Sequence, residues 1–586
     1  MIREKLKKCI EQTRRALLIE STLPFFISMC LLGALCTLAV RWDHGRAMSL
    51  VELGLDVYLL CFLLSLLPVA LRRVGVVLLS TFFYLLSALD LFLYHACGQP
   101  ITPNLLLLFL QTHKSEASEA LHTYLTSTNV CSLWLAIIPI IALHIYLSRH
   151  KPPRLRTTRM QSMVSGAIAL YLLGATAITW RDKQYKFYRL VMQKSELETQ
   201  RCADLTPRSR FYLPVYRLWD AIVQVRHQAA IYASLCHSQQ VAHQQMHCTF
   251  ESPEIVLILG ESFSRHHAQL YGYPFPNTPH QKAWEEQGQL VCYTDVVAPW
   301  NTTCESLQSL FSLSYAGDTL SWHERPFITS LMKSAGYDVC FLSNQYSLDK
   351  TQSLSDFIED VFINIPEVSR LQFSRRNKQL GDLDDHLLQA YDTMEPTIQS
   401  PHRFTIFHTR GMHFDFSERY PKERRRFSPA DYHRPDLSAD QLTTLAHYDN
   451  AILYNDSIIH EILLRFQHRN AIAIFLPDHG ERVFDYDNHF GRSLGFTPEE
   501  LLPQHEIPMW FWASEQYIAE HPDLWTSIRS HYRLPYMTDL LPYTIMSLAG
   551  TTDPYYDSTL DILSPNYRKD RKRILRDQCD YDLLCR

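Results

Sequence analysis

The sequence is poor in glycine and nearly balanced in charge, and both features exclude whole classes of protein. Glycine supplies 18 of the 586 residues, and no long Ser, Gly or Gln tract occurs, which excludes a collagen-like or mainly disordered chain. The formal charge of −5 excludes a generally basic nucleic-acid binder, so we expect no nucleic-acid partner. The 14 cysteines contain no Cys-x-x-Cys pair, so a cysteine-based metal site is not expected.

Long apolar runs are concentrated in the first third of the chain. A helix that spans a bilayer needs about 20 mostly apolar residues, because each adds about 1.5 Å across a hydrocarbon core of about 30 Å. Five such runs precede residue 181, namely Ala16–Val40, Leu50–Leu71, Val74–Cys97, Val130–Leu147 and Met163–Trp180. The sequence therefore predicts an α-helical membrane domain of five spans over residues 1–180.

Lysine and arginine are distributed unevenly among the loops between these runs. Six basic residues precede the first run, Arg72 and Arg73 lie in the predicted turn after the second, and five more lie at positions 149–159. The loops on the opposite side carry only Arg41, Arg46 and Lys114. Because basic loops stay in the cytoplasm, the N-terminus is expected there. Five spans then place everything after Trp180 on the other side of the membrane.

Two segments border the larger, less apolar part of the chain. Residues 181–249 mix aromatic, basic and apolar residues at roughly helical spacing, as in Tyr216, Trp219 and Ile222. This pattern is typical of an amphipathic helix that contacts membrane lipids, although the segment could equally be a simple linker. Residues 566–586 are rich in charge, and we expect them to form a tail on the protein surface.

An α/β pattern begins at Glu254. Four short runs are apolar and β-branched, namely Glu254–Gly260, Tyr337–Ser343, Arg403–His408 and Ala471–Pro477. Helical patterns such as Thr303–Leu313 and Asp449–Phe466 separate them. Buried parallel strands have this composition, and the alternation with helices indicates a sheet covered on both faces. Residues 250–565 are therefore predicted to form a doubly wound, mostly parallel α/β domain.

Charged residues follow the first and last of these strands, at the edge where open α/β sheets form their sites. Glu261 follows the first strand, and Asp478 and His479 follow the last. Two carboxylates and an imidazole suit Zn²⁺ with an open fourth position. A hydroxyl bound there would be acidified and would become a nucleophile at neutral pH.

Thr302 and Thr303 are the candidates for this hydroxyl. A helix is predicted to begin beside them, and its positive end would face an incoming phosphate. His413 and His489 could then hold phosphate oxygens or transfer a proton. Each residue alone has an ordinary explanation as a turn, a helix cap or a surface histidine. Their common order along one predicted sheet favours a single site.

These motifs resemble those of the membrane-bound phosphoethanolamine transferases of the Gram-negative envelope, a branch of the alkaline phosphatase and sulfatase superfamily. The resemblance covers nearly the whole chain, including the membrane spans. The matching segments are Gly260–Ser262, Leu270–Tyr273, Thr278–Pro279, His408–His413, Arg419–Pro421, Tyr448–Tyr454 and Asp478–Glu481 with His489 downstream. The resemblance implies a sulfatase-like catalytic domain in the periplasm, attached to the bacterial inner membrane.

The resemblance also implies roles for individual residues. Glu261, Asp478, His479 and a nucleophilic threonine would bind zinc, and His413 and His489 would contact the substrate. The spacing to Leu310–Ser312 is compatible with either threonine, and we favour Thr302 over Thr303. Thr112 and Glu116 lie in a stretch similar to the family's TxxxEA segment, whose Thr and Glu are thought to meet the head group of the donor lipid.

Two departures from the family's patterns concern the acceptor and the reaction. The members that modify lipid A have Cys-Gly before their threonine, whereas this chain has Trp300-Asn301. The stretch Phe341–Gln345 looks more like the branch that modifies core sugars of lipopolysaccharide. Sulfatase activity is disfavoured, because the Cys-x-Pro-Ser-Arg context that sulfatases need does not occur.

The implied reaction transfers phosphoethanolamine from phosphatidylethanolamine to lipopolysaccharide, at a core sugar or lipid A, or to another envelope glycan. It would pass through a covalent phospho-threonine. The alternative is a phosphoglycerol transferase or phosphodiesterase of the same superfamily that acts on another envelope substrate. Glu116 favours an ethanolamine donor, because a carboxylate suits an ammonium group. A third hypothesis, a membrane scaffold with a decayed catalytic site, would be favoured by the absence of bound zinc.

Overall fold

The chain divides into two compact units, Met1–Ala229 and Ala230–Arg586. Its structure is a computed structural model. It describes residues 17–39, 46–97, 100–103, 105–106, 128–150, 157–193, 211, 213–242, 247–346, 362–493, 495, 497–551, 554–576 and 579–585.

The first unit is helical in its described residues. Its helices are α1 (Leu23–Ala39), α2 (Arg46–Leu66), α3 (Val69–Cys97), α4 (Thr128–Arg149), α5 (Thr158–Lys186), a π-helical turn (Phe187–Val191) and α6 (Pro214–Ala242), which continues into the second unit. Three helical segments are long and apolar enough to cross a membrane, namely Ala47–Leu66, Val69–His95 and Arg159–Val191. Leu23–Ala39 and Ala136–Arg149 are apolar but shorter in their described parts. The helical N-terminal region is confirmed, and the count of five spans stays a prediction.

The turn between α2 and α3 lies earlier than the sequence predicts. The chain breaks its helix at Leu67 and Pro68, and Arg72 lies in the first turn of α3, where its N–H donates to Pro68 O at 2.9 Å. Proline has no N–H and disfavours helical backbone in the residue before it, so Pro68 ends α2. Arg72 and Arg73 therefore lie within a helix rather than in the turn.

Buried ion pairs join the helices of the first unit. Lys183 Nζ of α5 lies 3.0 Å from Glu52 Oε1 of α2, and Lys186 pairs with the other oxygen of Glu52. Arg217 Nε of α6 donates to Asp90 Oδ1 of α3 at 3.0 Å. A charge in apolar surroundings is costly unless it is paired, so these contacts specify how the four helices pack.

The second unit is built on a mixed sheet. Its strands are β1 (Glu254–Gly260), β2 (Leu290–Tyr293), β3 (Val296–Val297), β4 (Asp338–Ser343), β5 (Arg375–Arg376), β6 (Arg403–His408), β7 (Ala471–Pro477), β8 (Met509–Ala513), β9 (Tyr536–Met537), β10 (Ile574–Leu575) and β11 (Cys579–Asp580). Within the described ranges the main sheet has seven strands in the order β2-β8-β7-β1-β6-β4-β5. The strands β7, β1, β6, β4 and β5 are parallel, whereas β8 is antiparallel to both β7 and β2. The predicted α/β domain is confirmed, with a mixed sheet.

Helices cover both faces of this sheet. They are α7 (Pro279–Glu286), α8 (Thr303–Phe311), α9 (Ile328–Ala335), α10 (Pro366–Gln372), α11 (Asp385–Met394), α12 (Ala439–Leu464), α13 (Pro498–His505), α14 (Glu515–Glu520), α15 (Pro522–Ser530), α16 (Leu541–Leu548) and α17 (Tyr581–Leu584). Ile255, Leu257 and Leu259 of β1 pack into one hydrophobic core, and Val256 and Ile258 pack into a second. A strand with a core on each side has apolar residues at every position, as the sequence of β1 has.

The four strands predicted from the sequence lie side by side as β7, β1, β6 and β4. Gly260 pairs with Pro477, and His408 pairs with both Leu259 and Ser343. Their carboxyl ends therefore meet at one edge of the sheet, which brings together the residues that follow them.

The C-terminal segment differs from the exposed tail that the sequence predicts. Arg573, Leu575 and Tyr581 are buried, and β10 pairs with β11. Leu575 and Tyr581 pack in a small core with Val297 and Met537, because their side chains are apolar or aromatic although their neighbours are charged. The amphipathic character expected of residues 181–249 stays a prediction.

Candidate metal centre

Three buried residues at the carboxyl edge of β1 and β7 form the candidate metal centre. One ligand atom each from Glu261, Asp478 and His479 lies within 4.8 Å of the others. His479 Nε2 is 3.3 Å from Asp478 Oδ2 and 3.6 Å from Glu261 Oε1. Two carboxylates and an imidazole are a donor set that suits Zn²⁺. The predicted residues are therefore brought together by the neighbouring strands β1 and β7.

The electrostatics of the two carboxylates favour a bound cation. Burial raises the pKa of Asp478 well above its ordinary value, and the Glu261 carboxylate raises it further. Burial acts in the same direction on Glu261, but His479, Ser262 and Asp478 lower the pKa of Glu261 to about 2. Asp478 Oδ2 has no hydrogen-bond partner among the described residues. A buried carboxylate oxygen without a partner is costly, and a metal ion would satisfy it.

His479 is suited to be a neutral ligand. Burial lowers the pKa of its imidazole, and the positive charge of Arg492 lowers it further. Its Nδ1 lies 2.8 Å from the carbonyl oxygen of Gly480, which holds the ring and leaves Nε2 facing the carboxylates. A metal-binding histidine commonly uses its other ring nitrogen in this way.

The backbone of Ser262 is held in a left-handed conformation beside the carboxylates. Its φ is 53°, its N–H donates to Asp478 Oδ1 at 3.1 Å, and its hydroxyl donates to Glu261 Oε1 at 2.7 Å. This conformation is uncommon for a residue other than glycine and persists only where surrounding contacts enforce it. Ser262 therefore orients both carboxylates.

Two motif glycines allow close approach of backbone to the centre. A Cβ on Gly480 would overlap with the carbonyl oxygen of Pro503. Gly411 has a φ of 46°, and a Cβ there would lie 3.0 Å from the backbone nitrogen of Glu261. Only glycine allows the close approach of Pro503 O at position 480, and the positive φ at position 411, without displacing its neighbours.

The two threonines at the start of α8 have different partners. Thr303 is the first residue of the helix, and its Oγ1 donates to Glu261 Oε2 at 3.2 Å. Thr302 is the N-cap residue, and its hydroxyl donates instead to the carboxylate of Glu305. The geometry thus brings Thr303 to the candidate metal ligands, rather than Thr302, which we favoured from the sequence.

The predicted substrate ligands lie at or beyond the rim of the buried group. His413 is exposed, its Nδ1 lies 2.7 Å from Phe414 O, and its charge contributes to lowering the pKa of Glu261. The side chain of His489 is 76% exposed, and its Nδ1 lies 3.0 Å from Asp487 Oδ2. Thr112 and Glu116 lie outside the described residues. The roles of all four stay predictions.

Gln345 was not predicted as a site residue. It follows β4, and its Nε2 lies 3.0 Å from Glu261 Oε2, 2.8 Å from Thr409 O and 3.1 Å from His408 Nε2. Burial lowers the pKa of His408 to about 4, so this imidazole is neutral and can accept a hydrogen bond. The signal available in the sequence was the position of Gln345 directly after a predicted strand.

Arg492 was also missed, and no motif points to it. Its Nη1 lies 3.1 Å from His479 Nε2 and donates to Asn301 O at 3.3 Å. Its Nε lies 3.8 Å from Glu481 Oε2. A guanidinium at this place adds positive charge beside the centre, where a phosphate would need it.

An exposed aromatic pair lies on the two loops that carry the predicted histidines. Phe414 is 61% exposed and Phe490 is 38% exposed, and their ring centroids are 5.7 Å apart. Each follows directly after one of the two predicted histidines, His413 and His489. Exposed apolar patches commonly mark binding surfaces, so this pair is a candidate contact for an apolar part of a substrate.

Comparison with known proteins places this fold and site in a family. Residues 253–551 match the sulfatase family model. The phosphoethanolamine transferase EptC of Escherichia coli K12 is 27% identical over 327 residues, which cover 54% of each chain. The phosphoethanolamine transferase CptA of Salmonella typhimurium LT2 is 26% identical over 498 residues, which cover 83% of this chain and 81% of CptA. The chain thus spans about half the length of EptC, but most of CptA.

A solved structure agrees with the fold of the second unit. The C-terminal periplasmic domain of EptC from Escherichia coli, in complex with Zn, is 26% identical with a TM-score of 0.50. The alignment covers 58% of this chain and 96% of that domain. The family model matches 299 residues (551 − 253 + 1), just over half of the 586 in the chain. The chain therefore belongs to the sulfatase family, and it resembles the membrane-bound phosphoethanolamine transferases.

Proposed function

We propose that this protein transfers phosphoethanolamine from phosphatidylethanolamine to lipopolysaccharide or another envelope glycan, with Thr303 as the nucleophile. The observation that carries the proposal is the hydrogen bond of 3.2 Å from Thr303 Oγ1 to Glu261, within a buried cluster of two carboxylates and an imidazole. The names of EptC and CptA support a phosphoethanolamine transferase. The relative named Kdo(2)-lipid A phosphoethanolamine 7''-transferase, from Salmonella typhimurium, supports a lipopolysaccharide acceptor.

Glu261, Asp478 and His479 would hold Zn²⁺, with the Thr303 hydroxyl as the fourth ligand. The unpartnered Oδ2 of Asp478 supports this assignment. When bound, the ion supplies positive charge that lowers the pKa of a coordinated hydroxyl and stabilises negative charge on a phosphate. Gln345 holds Glu261 in position through a hydrogen bond of 3.0 Å to Oε2.

In the first half-reaction, Thr303 Oγ1 attacks the phosphorus of the donor. The bond from phosphorus to the glycerol oxygen breaks as the new bond to Thr303 Oγ1 forms, and the hydroxyl proton of Thr303 is released to water. The departing oxygen takes up a proton and leaves as diacylglycerol. We assign delivery of this proton to His413, which is exposed on the loop after β6 whose Met412 N–H donates to Glu261 O at 3.1 Å.

Positive groups then hold the phosphate in place. α8 begins at Thr303, and the N–H groups of its first turn would face the attacked phosphate. Arg492, next to His479, would neutralise charge on the phosphate oxygens. Both groups act on the transferred phosphoryl, so they stabilise its transition state in each half-reaction.

In the second half-reaction, a hydroxyl of the acceptor attacks the phosphorus of phospho-Thr303. The acceptor hydroxyl gives its proton to His413 or His489, and Thr303 leaves and regains its own proton. Phosphoethanolamine is then joined to the acceptor. A covalent intermediate of this kind is expected to give ping-pong kinetics.

The membrane arrangement follows from the charge asymmetry and the apolar helices of the first unit. We infer a multi-pass protein of five spans in the inner membrane, with a cytoplasmic N-terminus and a periplasmic catalytic domain. Three helices of sufficient length and hydropathy support this arrangement. Thr112 and Glu116 would meet the phosphoethanolamine head group of the donor.

The proposal is tested with detergent-solubilised, zinc-loaded full-length protein and fluorescent phosphatidylethanolamine. We expect release of fluorescent diacylglycerol, together with a phosphoethanolamine adduct on the peptide spanning Trp300–Glu305 in mass spectrometry. Fluorescent phosphatidylglycerol is the matched second donor. An adduct of phosphoglycerol without one of phosphoethanolamine would replace this proposal with the phosphoglycerol transferase, and no adduct from either lipid would contradict a covalent mechanism.

The aromatic pair provides a test of lipid binding that is separate from chemistry. Replacing Phe414 and Phe490 together with alanine is expected to raise KM for phosphatidylethanolamine about tenfold, because fully burying such a side chain contributes about 1.5–3 kcal/mol. For a water-soluble aryl phosphoethanolamine diester, KM and kcat should change less than about twofold. The exposed Leu320 provides the matched control as Leu320→Ala. An equal loss with both substrates would assign the pair to the fold instead.

A further inference from the structure

The C-terminal segment lies beyond the residues that match the sulfatase family, which end at 551. The mechanism described above uses none of its residues. The segment is nevertheless folded against the catalytic domain, with buried residues in both β10 and α17. One of its residues, Arg576, contacts the loop that leads into Thr303.

Arg576, directly after β10, joins two loops of the candidate site. Its backbone N–H donates to Pro299 O at 2.9 Å, four residues before Thr303. Its guanidinium donates to Ser493 O at 3.4 Å and to Gly495 O at 2.5 Å. Ser493 is the neighbour of Arg492, which contacts His479. Arg576, which is 6% exposed, therefore contacts the loop that leads into Thr303 (the nucleophile loop, Pro299–Thr302) through its backbone N–H. It contacts the loop that follows the metal ligands through its guanidinium.

The same two loops also meet each other at a carbonyl that Arg576 uses. Asn301 Nδ2 donates to Ser493 O at 3.0 Å and to Gln504 Oε1 at 2.9 Å. Ser493 O thus accepts hydrogen bonds from the nucleophile loop and from Arg576. Arg576 thereby reinforces the contact that sets the position of Thr303 relative to Arg492.

The conformation of Arg576 is itself enforced. Its φ is 50°, in the left-handed region that residues other than glycine rarely adopt. Such a conformation persists where surrounding contacts over-determine it, and it is often found at sites that function requires to be rigid. In this conformation, Arg576 contacts three carbonyl oxygens, those of Pro299, Ser493 and Gly495.

Neighbouring contacts anchor the segment on either side of Arg576. Arg573 Nη1 donates to Asp295 Oδ1 at 2.7 Å, and Arg573 Nη2 donates to Asp582 Oδ1 at 2.6 Å. Tyr581 donates its hydroxyl to Glu506, which also pairs with His266 at 2.8 Å. Arg576 is therefore held by a firmly attached element rather than by a free end.

We propose that Arg576 is a positioning residue of the active site, which fixes the nucleophile loop against the loop of Arg492 and so sets the place of Thr303. This inference rests on the proposed role of Thr303 as the nucleophile. Arg576 touches no reacting atom, so its loss should slow the chemical step and leave substrate binding largely unchanged. A small displacement of a reacting group is enough to reduce a rate by about a hundredfold.

Arg571 provides a matched control from the same segment. It is also a buried arginine, but its guanidinium pairs with Asp539 and donates to Ala316 O at 3.1 Å. Replacing it with alanine removes similar volume and charge without touching either loop of the site. The variants Arg576→Ala, Arg576→Lys and Arg571→Ala are compared in the full-length, zinc-loaded protein.

Backbone hydrogen exchange and steady-state kinetics are measured on each variant, with the water-soluble aryl phosphoethanolamine diester as substrate. In Arg576→Ala we expect exchange in peptides covering 300–304 and 492–495 to rise at least about tenfold, and kcat to fall about 10- to 100-fold with KM changed less than about twofold. Arg576→Lys should be intermediate, because an ammonium group can still donate to a loop carbonyl. Arg571→Ala should show neither effect, because its guanidinium contacts Asp539 and Ala316 instead of the two loops.

Two outcomes would overturn the positioning role. One is unchanged exchange and kcat in Arg576→Ala, and the other is the same loss in Arg571→Ala. Hydrogen exchange can be measured whether or not the protein has transferase activity. The positioning role of Arg576 and the proposed function can therefore be contradicted independently of each other. Faster exchange in Arg576→Ala, in a protein that proves unable to transfer phosphoethanolamine, would support the positioning of the loop while contradicting the proposed function.

Discussion

Replacing Thr303 with alanine is expected to lower kcat at least about a thousandfold, because the removal of a covalent nucleophile eliminates the reaction path rather than weakening it. The substitution should leave the fold intact. It removes the hydrogen bond from Thr303 Oγ1 to Glu261, but α8 keeps its N-cap residue Thr302. Release of diacylglycerol and formation of the phospho-peptide are the two measurements. Both should vanish together.

Thr302→Ala is the matched control for this prediction. The Thr302 hydroxyl donates to Glu305 in the first turn of α8 and makes no hydrogen bond to the helix backbone, so removing it deletes one part-buried hydrogen bond. We expect a cost of about 1 kcal/mol in stability and less than about tenfold in kcat. Thr303→Ser, which keeps a hydroxyl, should retain measurable turnover and form the adduct. An active Thr303→Ala together with an inactive Thr302→Ala would return the nucleophilic role to Thr302, the residue favoured from the sequence.

Replacing Asp478 with asparagine is expected to reduce bound zinc to background and to lower kcat by at least about a thousandfold, because a neutral amide replaces a charged ligand. Its effect on stability should depend on the metal. Without zinc, the variant should melt at a higher temperature than the unaltered protein, because burial and Glu261 disfavour a charge on Asp478. With zinc at about 100 times its Kd, only the unaltered protein should gain about 2.7 kcal/mol.

Asp456→Asn is the matched control for the metal prediction. Asp456 is also buried, and it accepts hydrogen bonds from the backbone N–H groups of His280 and Gln281 at 2.9 and 3.1 Å. Its replacement should lower the melting temperature with and without zinc and leave the bound metal unchanged. Metal analysis combined with thermal unfolding, with and without a chelator, measures both effects. Full zinc content in Asp478→Asn would remove Asp478 from the ligand set.

The metal ligands could be predicted from the sequence because each directly follows a recognisable strand. Runs such as Glu254–Gly260 and Ala471–Pro477 are too apolar and too short for anything but buried strands, and parallel neighbours end at one edge. Because the two strands are adjacent in the sheet, Glu261 and Asp478 have to lie near each other. At this site the local sequence pattern is therefore enough to predict which residues meet.

The choice between the threonines depends on information that local sequence does not contain. Thr302 and Thr303 both fit the start of a helix, and the one that reaches Glu261 is decided by the direction in which α8 leaves the sheet. Arg492 and Arg576 could not be predicted as site residues, because their roles also depend on contacts that local sequence does not specify. Each acts through carbonyl or imidazole groups that are distant along the chain, and neither belongs to a pattern with a preferred spacing.

The pairing of β1 with β7 has a consequence for how the protein matures. Ser262 and Asp478, which share a hydrogen bond at the centre, are 216 residues apart. Closing so long a loop costs entropy before any contact offsets it, so we expect this central pairing to form late in folding. The candidate metal ligands Glu261, Asp478 and His479 are consequently far apart until the two strands pair, and the unfolded chain has no preformed site for a cation. Metal uptake should therefore report that the sheet has assembled.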